Sequence, residues 1–247
     1  MISISNLKIG SPIAGGYFAG IINTTKGNIQ PNDAYQEGLR YALIVAPKSL
    51  ESLTTLGWCT LTNGGGVEPS CLTRWNGLEA TNSIPNSTSY PAFKHVKDLV
   101  APSYPGASIW YLPAMDELEL LYRHFKPNKA PNKEFNENRL NFPCHTFNNF
   151  VLTGRNISSD DPVNSPSNPY NDLSPSRTPL AIFQTKGAQA MNKPRYWSST
   201  DGNVSIDSRW CSWNQTFFHS PDEGTQDAAN KDNTTAIHVR PVRRILL

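Results

Sequence analysis

Residues Trp110 to Lys126 have the sequence WYLPAMDELELLYRHFK and carry the clearest helical signal in the chain. After Pro113, apolar side chains recur at the spacing of one helical face, while acidic residues fill the first turn and basic residues the last. This pattern predicts a helix over about Asp116 to Lys126. A weaker helical pattern covers Phe93 to Val100. We expect the stronger helix to pack against a sheet through Leu118, Leu121, Tyr122 and Phe125.

Strand signals lie on both sides of this helix. Alternation of apolar and polar residues predicts strands at Ile2 to Ile9 and at Tyr17 to Ile22, and the apolar run from Tyr41 to Pro47 predicts a third. Near the end of the chain, Ala236 to Ile245 alternates until Pro241, which favours an edge strand or a bulge. Helices and antiparallel strands together predict an α+β domain.

Two long segments lack regular periodicity. Residues 57–84 mix turns with Trp58 and Trp75, which predicts loops held by buried tryptophans. Residues 127–194 are dominated by Asn, Pro, Ser and Asp, and a connection this long is either functional or disordered. We therefore interpret residues 1–56 as a β-rich segment integral to a domain at 57–247, which carries a loop insertion at about 127–194.

Composition argues against several classes of protein. The formal charge is +2 and 17% of the 247 residues are charged, so we expect no nucleic-acid binding. No apolar run approaches the roughly 20 residues of a membrane span, and the first residues lack the core of a secretory signal. We expect a soluble product without membrane insertion that is made in the cytoplasm. Without a C-x-x-C motif, free buried thiols are favoured over disulfides or metal ligands for Cys59, Cys71, Cys144 and Cys211.

The sequence carries no recognised catalytic motif. It has no G-x-S-x-G elbow, no H-E-x-x-H and no phosphate loop, so we predict that the chain is not an enzyme. Cys144 and His145 are adjacent, and adjacent side chains on an extended segment point apart. No cofactor and no metal are expected. Solvated carboxylates are favoured over calcium ligands for Asp160, Asp161, Asp222, Glu223 and Asp227.

Several segments occur together in an order that is familiar from one family. They are GYFAG at Gly16–Gly20 with YALIVAPK at Tyr41–Lys48, WYLPAMDEL at Trp110–Leu118, YWSST at Tyr196–Thr200 and VRPVRR at Val239–Arg244. The set resembles the Lcl-type adhesin domain family (DUF1566), including its versions in phage tail proteins. This resemblance covers nearly the whole chain.

The resemblance implies a C-type-lectin-like fold, with two helices, a small twisted antiparallel sheet and long loops on one side. It implies an adhesin in the tail fibre or tail tip of a bacteriophage virion, which binds a glycan or protein receptor on the host cell. Contacts with other tail proteins and a homotrimer follow by analogy with fibre tips. The alternatives are a structural tail or baseplate connector and a fold-related formylglycine-generating oxidase.

The same resemblance directs attention to one strand. The family pattern A-W-x-V-x-F best matches Ser212 to Phe217, followed by a loop glycine at Gly224 and a lysine at Lys231. In this register Trp213, Gln215 and Phe217 face inward, whereas an alternative register places Trp210 at the family tryptophan. The predicted receptor-binding residues are Asn214, Thr216 and Phe218, which face outward in the first register, with His219 and Asn230.

Two further regions are predicted to belong to the receptor-binding surface. The polar loop His219 to Thr235 and parts of the 127–194 insertion are expected to complete the receptor surface, because they lack framework motifs and are too polar to build a core. Arg240, Arg243 and Arg244 could bind anions, but structural ion pairing is the favoured interpretation, since the family carries arginines there generally.

Overall fold

The computed structural model describes residues 7–23, 40–73, 75–132, 173–206, 209–218 and 223–247. This part of the chain forms strands and helices in an α+β arrangement, as predicted. The strands are β1 Pro12–Ile13, β2 Gly16–Asn23, β3 Arg40–Val45, β4 Arg195–Ile206, β5 Arg209–Thr216, β6 Gln226–Asn230, β7 Ile237–His238 and β8 Val242–Leu246. The helices are α1 Gly77–Ser83, α2 Pro91–Lys97 and α3 Met115–Phe125.

The strands build two four-stranded sheets, in the orders β1-β2-β3-β8 and β6-β5-β4-β7. All described pairs are antiparallel except β4 with β7. The closing segment of the chain supplies an edge strand to each sheet, β7 to the second and β8 to the first. Pro241 lies at the crossing, where its carbonyl accepts a hydrogen bond from Ala46 N at 2.9 Å. The edge strand predicted from this proline is confirmed.

Helix α3 confirms the strongest prediction from the sequence, with bounds shifted by one residue at each end. The four apolar side chains predicted to pack are all buried. Tyr122 meets Phe217 edge to face at 5.1 Å between ring centroids, and Phe125 stacks on Phe183 at 4.0 Å. Helix α3 therefore packs its apolar face against the sheet, as expected. That face lies at the centre of the largest core cluster.

Replacing Leu121 in this core should be costly. Leu121 is fully buried, so Leu121→Ala should lower the free energy of unfolding by roughly 2–5 kcal/mol through lost burial and the cavity it leaves. Chemical denaturation of the purified variant measures the change. Leu53→Ala is the matched control, because Leu53 is 92% exposed and its truncation should change stability little. Equal stabilities for the two variants would contradict this packing.

Of the other elements, some differ from the prediction and others confirm it. Helix α1 lies within the segment predicted to be loops, and it begins where Asn76 Oδ1 caps Glu79 N at 3.3 Å. Helix α2 begins at Pro91 and ends at Lys97, before the predicted end at Val100. The strands predicted at 17–22 and 41–47 are confirmed as β2 and β3. Of the strand predicted at 2–9, residues 7–9 are not extended in a sheet and the rest lies outside the described residues.

The W-S-S-T segment of β4 joins the second sheet to the start of α3. The register of β4 against β5 shifts between Trp197 and Asp201, which frees the intervening side chains from regular pairing. Thr200 Oγ1 accepts a hydrogen bond from Met115 N at 3.0 Å, and Ser198 Oγ donates to Trp213 O at 2.9 Å. The indole of Trp197 donates to Leu56 O at 2.6 Å. This segment is therefore a buried junction, in agreement with its prediction as framework.

Among the residues that the structure describes, no helix is long and apolar enough to cross a membrane.

Candidate functional site

Strand β5 carries two of the five predicted receptor-binding residues, Asn214 and Thr216, and its register is fixed by both neighbours. Tyr196 pairs with Gln215 and Trp197 pairs with Asn214, so paired side chains lie on the same face of the sheet. Gln215 and Phe217 are fully buried beside Tyr196 in the α3 core. The inward face predicted for them is confirmed.

The prediction that Asn214 and Thr216 face outward to solvent is wrong. Each side chain is 1% exposed, although strand alternation does place both on the face opposite Phe217. That face is covered because Trp197 lies beside Asn214 and belongs to a second buried cluster that includes Trp58 and Val239. Asn214 Nδ2 donates to Asp227 O of β6 at 2.8 Å. The second sheet thus has a core on both of its faces.

Of the three remaining predicted residues, the structure describes the side chains of two, and these differ in exposure. Phe218 is 36% exposed and lies two residues after the end of β5. Asn230 is half-buried, and its Oδ1 lies 3.4 Å from Cys211 Sγ. His219 lies outside the described residues. Of the five predicted positions, Phe218 is therefore the one whose described side chain is clearly open to a partner.

Part of the predicted loop at 219–235 is also buried. Lys231 is 0% exposed, and its Nζ lies 2.6 Å from Asp201 Oδ2 and 2.5 Å from Gly66 O. The ammonium group also lies over the Trp58 ring, 4.5 Å from its centroid. Lys231 therefore fastens the loop at residues 62–66 to the second sheet and is not available for receptor contact.

Both motif-free segments nevertheless meet at one end of β5. Phe217 N donates to Pro194 O at 3.0 Å, which places the end of the insertion beside the end of the strand. Asn128 Nδ2 donates to Glu223 Oε1 at 2.8 Å, which joins the start of the insertion to the loop after β5. The start and the end of the insertion and the loop after β5 thus meet at this end of the strand.

Lys126 at the end of α3, together with residues 127–132 and 173–187 of the insertion, forms what we call the insertion stem. Its two arms are joined by backbone hydrogen bonds, from Thr178 N to Lys126 O at 2.9 Å and from Thr185 N to Pro127 O at 3.0 Å. Lys126 Nζ and Asn132 Nδ2 are also within reach of Pro175 O, at 3.5 Å and 3.0 Å. The base of the insertion is therefore fixed to the end of α3.

The stem contains two neighbouring grooves of about 450 and 380 Å³. Lys129 and Arg177 line both grooves, and Lys186 lines the larger one. All three side chains are exposed, and none forms an ion pair with another described residue. No local sequence motif marks these three cations, and Lys129 lies far from the other two along the chain.

The C-terminal arginines all bond to the protein itself, but within the described residues the predicted ion pairing is shown for Arg240 alone. Arg240 is fully buried, with Nη1 3.0 Å from Glu51 Oε2 and Nε donating to Ala46 O at 2.9 Å. Arg243 is buried as well and donates to Ala14 O at 2.9 Å. Arg244 Nη1 donates to Asn76 Oδ1 at 2.9 Å. These guanidinium groups bind the protein itself and do not form an anion-binding patch.

The carboxylates considered for calcium do not assemble within the described residues. Glu223, which was interpreted as solvated, is instead buried at 2% exposure against Asn128. Asp227 is half-buried, and its Oδ1 accepts a hydrogen bond from Ala228 N. Asp160, Asp161 and Asp222 lie outside the described residues. Across the ranges given above, no group of three or more His, Cys, Asp or Glu residues is placed to hold a metal ion.

The described cysteines Cys59, Cys71 and Cys211 are buried thiols that form no disulfide, as predicted. Burial raises the pKa of the Cys71 thiol to about 12, so the reactive thiolate is strongly disfavoured at neutral pH. Cys144 and its neighbour His145 lie outside the described residues.

Comparison of the chain with protein-family models, with curated proteins and with solved structures gave no match.

Proposed function

We propose that this chain is an adhesin of a bacteriophage tail fibre or tail tip, which binds a host-surface receptor at the end of β5 that carries the insertion stem. The observation that supports this most directly is the meeting of two motif-free segments at one end of a well-anchored scaffold. Phe218, Asn128 and Glu223 mark the place where they meet. Binding surfaces are commonly loops that a rigid scaffold positions in this way.

Buried electrostatic links hold that scaffold. The Arg240–Glu51 and Lys231–Asp201 pairs connect segments far apart in the chain, and both are almost completely shielded from water. The hydroxyl of Tyr196 donates to Glu51 Oε2 at 2.9 Å. This bond connects the Arg240–Glu51 pair to the core cluster that contains the apolar face of α3. The framework motifs thus serve packing, which leaves recognition to the segments between them.

The proposal includes a C-type-lectin-like arrangement and a homotrimer in the virion tail. The small antiparallel group β4-β5-β6, with long segments emerging at one end, supports the fold assignment. The third helix, α1, is an addition to the two that the family resemblance implies. Three copies on one fibre would turn modest single-site affinity into avidity.

Direct binding to cells tests this function against the connector alternative. We expect the purified, fluorescently labelled chain to bind saturably to bacteria that the phage infects and to bind resistant bacteria at least about tenfold less. Heat-denatured protein at equal concentration controls for non-specific adhesion. A tail connector would instead bind other tail proteins and show equal, non-saturable signals on both cell types. That result would reject the adhesin.

A further inference from the structure

The insertion stem concentrates positive charge on a chain whose net charge is close to zero. Lys129, Arg177 and Lys186 line the two stem grooves, whereas the whole chain carries a formal charge of +2. Among the described residues, no acidic side chain lines either groove. The three cations are exposed and lack ion-pair partners within the described ranges. Their field is thus available to an external anion.

The walls of the grooves are held in place by the backbone. Besides the two hydrogen bonds that join the arms of the stem, Gly187 N donates to Gln184 O at 2.6 Å, and Gln189 N donates to Ile182 O at 2.7 Å. A Cβ atom at Gly187 would lie 2.2 Å from Ile182 O, so this turn accepts no side chain there. A preformed site of this kind binds without a large cost of ordering.

The remaining lining suits a sugar that carries a charge. Asn128 and Gln184 add neutral amide groups to the larger groove; each NH2 already donates one hydrogen bond, to Glu223 Oε1 and Thr178 O respectively, and keeps its second hydrogen. Leu173 and Pro175 give the smaller groove an apolar wall. Both volumes lie within the range of roughly 300–1,000 Å³ that is usual for small-ligand sites. Cations for an acid group, amides for hydroxyls and an apolar wall for a ring face occur here together.

We propose that the stem grooves bind an anionic sugar unit of a host-surface polysaccharide, with Lys129, Arg177 and Lys186 holding its phosphate or carboxylate. This inference rests on the proposed adhesin function and names its ligand class. The guanidinium of Arg177 can engage either acid group with two parallel hydrogen bonds. The two lysines act as point charges on the same group or on the next one along the polymer.

The test uses the full chain and immobilised polysaccharide extracted from the envelope of the host. The triple variant Lys129→Gln, Arg177→Gln, Lys186→Gln should bind at least about tenfold more weakly than the unmodified chain. The matched control is Lys8→Gln, Lys94→Gln, Arg209→Gln, which removes the same charge from other positions and should bind normally. Raising the salt concentration to 1 M should weaken the binding of the unmodified chain to the polysaccharide. Equal binding by both triple variants would overturn the inference.

Chemical treatment of the polysaccharide distinguishes phosphate from carboxylate as the source of its negative charge. Loss of binding after hydrofluoric acid removes phosphate identifies a phosphate ligand, and loss after carboxyl reduction identifies a uronic acid. Retained binding after both treatments contradicts an anionic ligand, and equal binding to duplex DNA contradicts recognition of a sugar. If cells are bound but the polysaccharide is not, this inference fails and the adhesin function stands. If cells are not bound, the adhesin function itself fails.

Discussion

Glu117→Ala should lower the free energy of unfolding by about 3–9 kcal/mol. The Glu117 carboxylate is fully buried and accepts four hydrogen bonds: from the hydroxyls of Tyr41 and Tyr111 and from Ala114 N at 2.7 Å each, and from Gly77 N at 3.3 Å. Tyr41 could turn its hydroxyl fully to Trp75 O, but the other three donors would lose a buried acceptor. Each lost acceptor costs about 1–3 kcal/mol, which together approaches the total stability of a typical domain.

Circular dichroism and denaturant titration of the purified variant measure this loss. Glu79→Ala is the matched control, because Glu79 is an exposed carboxylate in the first turn of α1. It should cost less than about 1 kcal/mol. A Glu117→Ala variant as stable as the control would show that the carboxylate does not join α1, α3 and β3.

The same group predicts a pH dependence. Burial raises the pKa of Glu117 above its ordinary value, so the folded chain binds a proton at a higher pH than the unfolded chain does. The stability of the unmodified chain relative to Glu117→Gln should therefore rise as pH falls from the raised pKa towards the ordinary one. A difference that stays constant from neutral pH to about pH 4 would show that this carboxyl does not titrate as proposed.

Arg240→Ala should produce the second large loss of stability. It leaves Glu51 as a buried carboxylate without its cation, which typically costs about 3–5 kcal/mol. The double variant Arg240→Met, Glu51→Leu removes both charges and should recover a substantial part of this loss. Lys94→Ala is the surface control, because the Lys94–Asp98 pair is exposed and should contribute less than about 1 kcal/mol.

Thermal and chemical unfolding of the three variants distinguish the contribution of the buried ion pair to stability from the contribution of packing. If Arg240→Ala is no less stable than Lys94→Ala, the buried pair does not hold the segment after β3 to the connection between β7 and β8. If the double variant is less stable than Arg240→Ala, Glu51 stabilises the fold mainly through other contacts, such as the hydrogen bond that it accepts from the Tyr196 hydroxyl.

The elements that the sequence predicted correctly have strong local signals. Helix α3 combines an apolar periodicity with oppositely charged ends, and β3 is a short apolar run that stops at Pro47. Helix α1 lacked such a signal, because it depends on the Asn76 cap and on close packing of Gly77 against Leu112 O, where a Cβ would lie 2.4 Å away. The helical pattern explains why acidic residues begin α3 but gives no reason to expect that they are buried.

For the candidate site, the sequence predicted which side chains share a face of β5 but not which of them are buried. Alternation along β5 separated Asn214 and Thr216 from Phe217, yet it could not show that the second face is covered by the cluster around Trp197. Lys129, Arg177 and Lys186 are distant in sequence and come together through hydrogen bonds between the arms of the stem. Only the tertiary fold brings such residues to one groove.

Blocking one end of β5 tests the central claim most directly. Ser176 is exposed in the smaller stem groove, whereas Thr62 is exposed at the other end of β5, next to Gly64, whose Cβ position lies 3.2 Å from Trp210. In a Cys144→Ser background, Ser176→Cys and Thr62→Cys variants would each carry one polyethylene glycol chain. We predict that the Ser176 adduct loses protection of host cells against phage adsorption, while the Thr62 adduct protects as well as unmodified protein does. Full protection by the Ser176 adduct would place the receptor site elsewhere and contradict this account.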